Sequence, residues 1–171
     1  MFRNLPPITK NLLLINLICW LADLSLGRYG VDMTHGLGLH YVTAPDFYLW
    51  QPLTYMFMHA NFSHLFFNMF AVLMFGPALE ERWGGRRFLI YYLITGLGAA
   101  MVQETVWALQ LHPIRNTVTP TMAAALANRV VTIGASGAVF GILLAFGWLF
   151  PDVRMFILFI PIPIRARVLV L

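Results

Sequence analysis

A run of 22 residues without Lys, Arg, Asp or Glu, from Val130 to Pro151, is the feature that most constrains the fold of this chain. A helix of about 20 apolar residues crosses the hydrocarbon core of a bilayer. The chain as a whole is 60% hydrophobic and only 11% charged, with a mean hydropathy of +0.74. A soluble domain carries roughly 25% charged residues. These values exclude a soluble globular domain and predict a multi-pass membrane protein.

Apolar stretches separated by charged or glycine-rich segments predict an all-α fold, a polytopic membrane helix bundle with about four complete transmembrane helices. The predicted helices cover residues 11–26, 59–79 and 88–109, and a fourth follows the polar connection of residues 112–132, begins at Ser136 and ends at Pro151-Asp152. Residues 27–58 combine Gly, Pro and aromatic side chains, which favours an ordered loop at the membrane interface. After Asp152, two prolines interrupt an apolar stretch, and the closing residues 167–171 resemble the start of a fifth helix. Residues 1–171 are therefore interpreted as a single membrane domain.

The basic residues are distributed unevenly between the two sides of this bundle. Eight of the eleven lie at the N-terminus or in the segments after the second and fourth helices: Arg3, Lys10, Arg82, Arg86, Arg87, Arg154, Arg165 and Arg167. Arg28, Arg115 and Arg129 lie on the other side. Because basic loops remain in the cytoplasm, we predict a cytoplasmic N-terminus. The net charge of +4 then reflects membrane topology, and no nucleic-acid partner is expected.

Polar side chains crowd the outer half of the second predicted helix, in the sequence HANFSHLFFN. His64 and Asn68 are four residues apart, about 40° on a helical wheel, so they share a face. His59 lies about 140° from His64 and is expected to support the loop above. Polar groups inside a membrane are costly and often functional, although hydrogen bonds between helices are the alternative. A spacing of five residues suits a shared metal ion poorly, and no metal site is expected.

The charge-free run begins with Gly134-Ala135-Ser136-Gly137. The unpaired N–H groups and positive dipole end of a helix favour a developing anion. Glycines leave the backbone bare, so a peptide can approach closely. A serine with convergent N–H donors is typical of acyl-transfer catalysis. The alternative is a small-residue patch for tight helix packing, continued by Gly141 and Gly147.

Together these motifs resemble the rhomboid family of intramembrane serine proteases. The resemblance rests on HANFSHLFFN, on GASG, and on ALEERWG with Glu80 and Arg82, and it extends over essentially the whole chain. It implies a full protein of six transmembrane helices that cleaves transmembrane substrates near the outer face. It also implies the site residues: Ser136 as the nucleophile, His64 and Asn68 with the Ser136 N–H as the oxyanion hole, and His59, Gly134, Gly137 and Phe140 as supporting residues. Relatives often carry a tyrosine at the Phe140 position, packed beneath the catalytic histidine.

The chain departs from the family pattern at the general base, which is a histidine on the sixth helix of relatives. All five histidines here precede Ser136, and a serine without a base is a weak nucleophile. We therefore expect the base beyond residue 171, in a domain incomplete at its C-terminus, and we expect the 171-residue fragment to be inactive. The alternative is a catalytically inactive rhomboid-like pseudoprotease that binds membrane proteins.

The expected partners are the lipid bilayer and transmembrane protein substrates, without a small-molecule cofactor. The expected location is the bacterial cytoplasmic membrane. A small transporter or channel is a third interpretation of polar residues at helix ends, but its ionisable groups would lie nearer the midplane. A histidine among glycines on a later helix would favour the protease over the pseudoprotease.

Overall fold

A computed structural model describes residues 5–115, 117–157 and 160–170, which form a helical bundle. The helices are α1 (Pro7–Gly27), α2 (Met33–Leu37), α3 (Gln51–Thr54), α4 (Phe62–Trp83), α5 (Gly85–Arg115), α6 (Pro120–Arg129), α7 (Ser136–Leu149) and α8 (Ala166–Val170). The strands are β1 (Leu39–His40), β2 (Val131–Thr132), β3 (Arg154–Ile157) and β4 (Ile160–Arg165). Each strand pairs with one other, β1 with β2 and β3 with β4, both antiparallel. The all-α class and the helical bundle are confirmed.

Three helices in the described part of the chain, α1, α4 and α5, are long and apolar enough to cross a membrane. The helix predicted to start at His59 begins three residues later, because Asn61 caps α4 through its side chain. It ends at Gly84, whose φ of +82° suits glycine far better than other residues. Helix α5 is longer than predicted and continues through Pro113.

The helix of the charge-free run, α7, begins at Ser136 as predicted, but it is shorter than the complete fourth span that was expected. Helix α7 has 14 residues, roughly 21 Å at 1.5 Å per residue, against a hydrocarbon core of about 30 Å. Strand β2 uses the start of the run, with Val131 opposite His40 and Thr132 opposite Leu39. Gly134 then has a φ of +124°, which no right-handed helix contains. Helix α7 therefore begins only at Ser136.

The segments between the helices are more regular than the sequence predicted. The loop of residues 28–61 contains α2, β1, α3 and a 3₁₀ turn, in agreement with an ordered loop. The polar connection after α5 contains the helix α6, capped by the Thr119 side chain. The proline-interrupted stretch forms the hairpin of β3 and β4, and helix α8 follows it.

Helix α7 packs against both α4 and α5, and glycine makes the second contact possible. A Cβ on Gly137 would lie 2.3 Å from the Cβ of Ala99. One on Gly141 would lie 2.7 Å from two carbon atoms of Thr95. Both distances are too short for real carbon atoms, so the two helices can approach only without these side chains. The small-residue packing considered for GASG is thus present, and it places Ser136 at one end of a tight helix pair.

Glu80, near the other end of α4, joins that helix to the start of α1. Helix α1 lacks a side-chain cap of its own. Instead, the Ile8 amide donates to Glu80 Oε1 at 2.8 Å, and the Thr9 amide and hydroxyl donate to Oε2 at 2.7 and 2.8 Å. A carboxylate at a helix N-terminus also interacts favourably with the helix dipole. The ALEERWG motif of α4 therefore supplies the side chain that caps the N-terminus of α1.

Candidate active site

The first turn of α4 sets the position of the two polar residues that share its face. The Asn61 side chain accepts a hydrogen bond from the His64 amide at 2.9 Å and so fixes where the helix begins. His64 then lies in the first turn, partly buried, and Asn68 lies one turn later, 7% exposed. The predicted shared face is therefore a face that looks into the bundle.

The His64 ring lies directly against the backbone of Gly134. A Cβ on Gly134 would stand 2.6 Å from both Cε1 and Nε2 of His64. Gly134 is fully buried and has a left-handed φ, so both its space and its conformation require glycine. Ser136 follows two residues later, half-buried at the first position of α7. The fold thus brings His64 and the serine-bearing turn together, although they are 72 residues apart.

Asn68 adds a buried donor below His64. Its Nδ2 has no hydrogen-bond partner among the described residues. Leaving a buried amide unpaired costs about 1–3 kcal/mol, and such groups in native structures call for an explanation. The Asn68 Nδ2, on the face shared with His64, is therefore a donor available for a further hydrogen bond.

His59 contacts His64 rather than only the loop above it. Their rings meet edge to face, with centroids 5.0 Å apart. His59 is 1% exposed, and neither ring nitrogen has a partner in the part of the chain that the structure describes. Burial, and secondarily the nearby His64, lower the pKa of His59 to about 4. His59 is therefore neutral at physiological pH and supports the His64 ring from the side.

Phe140 lies one turn after Ser136, and its side chain is 71% exposed. Leu144 and Trp148 continue the same side of α7 at intervals of four residues and are also exposed. Within the described residues, Phe140 therefore does not pack beneath a histidine. The side of α7 next to Ser136 is an apolar surface.

The remaining histidines are engaged elsewhere. His35 pairs with Asp46 at 2.9 Å, His40 lies within hydrogen-bond distance of Gln51, and His112 is exposed near the end of α5. Among the described residues, no three His, Cys, Asp or Glu side chains could together hold a metal ion. The polar groups that the fold brings together here are therefore the serine-bearing turn, the His64 ring and the Asn68 amide.

Comparison with known proteins agrees with this geometry. The family profile for the Rhomboid domain matches residues 46–171, which include α4, Gly134 and Ser136. The chain belongs to the rhomboid family. It is 34% identical over 132 residues to Rhomboid-like protein 11, chloroplastic, of Arabidopsis thaliana, covering 74% of this chain and 40% of that relative.

Bacterial rhomboids are also similar to the chain. It is 30% identical over 145 residues to the Putative rhomboid protease YdcA of Bacillus subtilis, covering 82% of the chain and 61% of the relative. It is 33% identical over 93 residues to Rhomboid protease AarA of Providencia stuartii, covering 54% and 31%. In each case the matched region is less than two thirds of the relative's length. The rhomboid membership of the chain thus rests on its membrane domain.

Tyr55, which the sequence analysis did not identify, also belongs to this rhomboid site. Its backbone oxygen accepts a hydrogen bond from the Gly134 amide at 2.8 Å. Its ring is 3% exposed, in a 3₁₀ turn that precedes the HANFSH motif. A tyrosine in an apolar stretch four residues before His59 was the available signal, but its contact with Gly134 depends on tertiary structure.

Proposed function

We propose that the full protein is an intramembrane serine endopeptidase that cleaves transmembrane proteins near the outer membrane face. Ser136 is the nucleophile, and its hydroxyl oxygen attacks the carbonyl carbon of the scissile peptide bond. The negative charge that develops on the carbonyl oxygen is stabilised by His64, Asn68 and the Ser136 amide. Preorganised donors of this kind are often the largest single contribution to acyl-transfer catalysis.

The contact of the His64 ring with Gly134 carries this proposal. It places an imidazole beside the bare backbone that leads into the serine-bearing end of α7. The unpaired Asn68 Nδ2, one turn further along α4, supplies a second donor on the same face. Gly137 lets the first turn of α7 pack closely against α5, because a Cβ at this position would meet Ala99.

The length of α7 supports cleavage within the membrane. The helix is roughly 9 Å shorter than the hydrocarbon core if its C-terminal end lies at the inner interface. Ser136 would then lie below the outer surface, where only a locally unwound substrate helix exposes a carbonyl, because helical backbone is internally hydrogen-bonded. The proposed substrates are transmembrane helices with small or helix-breaking residues near their outer end.

The general base is proposed to be a histidine beyond residue 171, carried by a further helix. The relatives are longer than this chain, and the apolar side of α7 formed by Phe140, Leu144 and Trp148 offers a surface for such a helix beside Ser136. The proposed single domain of residues 1–171 is then part of a six-helix unit. This fragment alone is expected to be inactive, because proton transfer needs a base within about 2.6–3.2 Å.

The proposed topology has the N-terminus in the cytoplasm of a bacterial cell and the connection after α5 outside. In a Cys19→Ser background, Arg86→Cys and Thr117→Cys introduce exposed positions at the two ends of α5. A membrane-impermeant thiol reagent should label Thr117→Cys in intact cells and Arg86→Cys only after lysis. Labelling of Arg86→Cys from outside would contradict the orientation.

The catalytic proposal is tested by one transmembrane reporter and three proteins: the full chain, the full chain with Ser136→Ala, and the 171-residue fragment. Cleavage by the full chain alone is expected. Cleavage by the Ser136→Ala protein would contradict the assignment of Ser136 as the nucleophile. Cleavage by the fragment would contradict the assignment of the general base to a residue beyond 171.

A folded full chain that cleaves none of several reporters would favour the pseudoprotease. The observation that favours this second candidate is that all five histidines precede Ser136, so none stands at the position of the family's general base. Co-purification of intact membrane proteins with that inactive chain would then support a binding role.

A further inference from the structure

Tyr55 connects the loop before α4 to both helices of the tight α5–α7 pair. It lies in the 3₁₀ turn Tyr55–Phe57, and its side chain is 3% exposed. One hydrogen bond uses its backbone oxygen and a second uses its hydroxyl. The two bonds reach Gly134 before α7 and Gly96 on α5, so Tyr55 links the loop before α4 to both of these segments.

The first bond holds the turn before Ser136. The Gly134 amide donates to the Tyr55 carbonyl at 2.8 Å. Gly134 is the residue with φ of +124°, where the chain changes direction from β2 into α7. An amide in such a conformation cannot join a helical ladder, and the Tyr55 carbonyl satisfies it. The position of the Tyr55 carbonyl therefore determines the position of the turn that contains Gly134.

The second bond fixes Tyr55 to α5. Its hydroxyl donates to the Gly96 carbonyl at 2.7 Å. Burial raises the pKa of Tyr55 to about 12, so the hydroxyl keeps its proton and remains a donor. The Tyr55 oxygen would also lie 3.5 Å from a Cβ on Gly137, the residue after Ser136. Tyr55 thus bonds to Gly134 on one side of Ser136, and its hydroxyl lies close to Gly137 on the other side.

We propose that Tyr55 is a positioning residue for the nucleophile, because its hydroxyl bond to Gly96 fixes the carbonyl that holds Gly134 and thereby the placement of Ser136 against His64. The proposal rests on the proposed serine protease function. Tyr55 does not touch the reacting atoms in this scheme. It acts through the backbone of residues 134–137.

Tyr91 provides a matched control in the same helix pair. Its hydroxyl donates at 2.8 Å to the Gly141 carbonyl, so it too joins α5 to α7 by a bond from a phenol to a glycine carbonyl. Gly141 lies five residues after Ser136, more than one turn deeper in α7. Removing either hydroxyl deletes one comparable hydrogen bond, but only the Tyr55 bond acts on the turn before Ser136.

The experiment compares Tyr55→Phe and Tyr91→Phe in the full-length protein, with activity expressed per folded molecule. Measured quantities are Tm in detergent, kcat and KM for a transmembrane reporter, and the rate at which a fluorophosphonate labels Ser136. We expect similar small losses of Tm for both. Tyr55→Phe should lower kcat and the labelling rate by roughly ten- to a hundredfold with little change in KM, as misplacement of a reacting group does. Tyr91→Phe should retain kcat.

Equal effects of the two substitutions on kcat would overturn the proposal, as would an unchanged labelling rate in Tyr55→Phe. A Tyr55→Phe protein that does not fold would also overturn it, because the hydroxyl would then be needed for the fold. Failure of the proposed function itself is recognised separately. In that case the wild-type protein is neither labelled nor active, or Ser136→Ala still cleaves the reporter.

Discussion

Helix α4 carries a buried polar cluster near each end, and the two clusters are satisfied in opposite ways. Near its C-terminal end, both Glu80 oxygens accept hydrogen bonds from the first turn of α1. Near its N-terminal end, Asn68 Nδ2 and both ring nitrogens of His59 have no partner within the described ranges. A buried polar group that is fully paired stabilises a fold, whereas an unpaired one lowers stability. The comparison teaches that polarity inside this bundle is used for pairing between helices at one end and is left unpaired at the other, which is the end where we propose that a substrate binds.

The largest effect expected from this difference is on catalysis. In the full-length protein, His64→Ala with Asn68→Ala should lower kcat at least 10²–10³-fold, the typical cost of losing one oxyanion donor. The free energy of unfolding should fall only by the cost of the lost packing of the two side chains, because Asn68 Nδ2 has no protein hydrogen bond to lose. Reporter kinetics and chemical denaturation in detergent measure the two quantities. Unchanged turnover would mean that both residues serve only helix packing.

The opposite result is expected at the other end of α4. Glu80→Ala leaves the Ile8 and Thr9 amides without an acceptor inside the bundle and should lower the free energy of unfolding by about 3 kcal/mol. The matched control is Glu81→Ala, which removes the neighbouring exposed carboxylate and should have little effect. Residual kcat per folded molecule should stay near wild type for both. A loss of kcat without a loss of stability in Glu80→Ala would contradict the division between the two ends.

Substituting two glycines that have positive φ distinguishes the effect of backbone strain from the effect of the contact with His64. Gly134→Ala and Gly84→Ala both place a side chain in a conformation that costs about 1–3 kcal/mol. Around Gly84 a Cβ meets nothing within 4 Å, whereas at Gly134 it meets the His64 ring. Both variants should lose stability, Gly134→Ala the more because its Cβ also meets the His64 ring, and only Gly134→Ala should lose kcat and fluorophosphonate labelling per folded molecule. Equal kinetics for the two variants would show that His64 does not depend on the bare backbone.

The smallest effect concerns a polar cluster that is paired but exposed. Asp46 in the loop after α1 accepts a hydrogen bond from Asn128 on α6 and pairs with His35. The Asn128 bond, and secondarily His35, hold the pKa of Asp46 below its usual value. Its contribution to stability is present above the unfolded pKa and is lost as the pH falls through the folded pKa, below about 4.

Thermal unfolding between pH 7 and pH 3 should therefore show a small acid destabilisation that is reduced in Asp46→Asn. Identical pH profiles for the wild-type and Asp46→Asn proteins would show that Asp46 is not the group whose titration causes the destabilisation.

The sequence predicted those parts of the site that depend on local spacing. His64 and Asn68 share a face because the helical period is 3.6 residues, and the structure places that face inside the bundle. The GASG motif predicted the start of α7 correctly. Gly134 has a φ that a right-handed helix cannot contain, so the helix begins after it, at Ser136. Strand β2 was not predicted, since hydropathy cannot register that Val131–Thr132 pairs with Leu39–His40.

By itself, the sequence determined that this chain is a helical membrane protein of the rhomboid type, because composition, hydropathy and two short motifs are local properties. The tertiary structure alone decided which polar groups are paired. Glu80 meets the start of α1, His64 meets Gly134, and Tyr55 holds the turn before Ser136. Each contact joins residues from distant parts of the chain, and its energy depends on burial and geometry that exist only when the helices have packed.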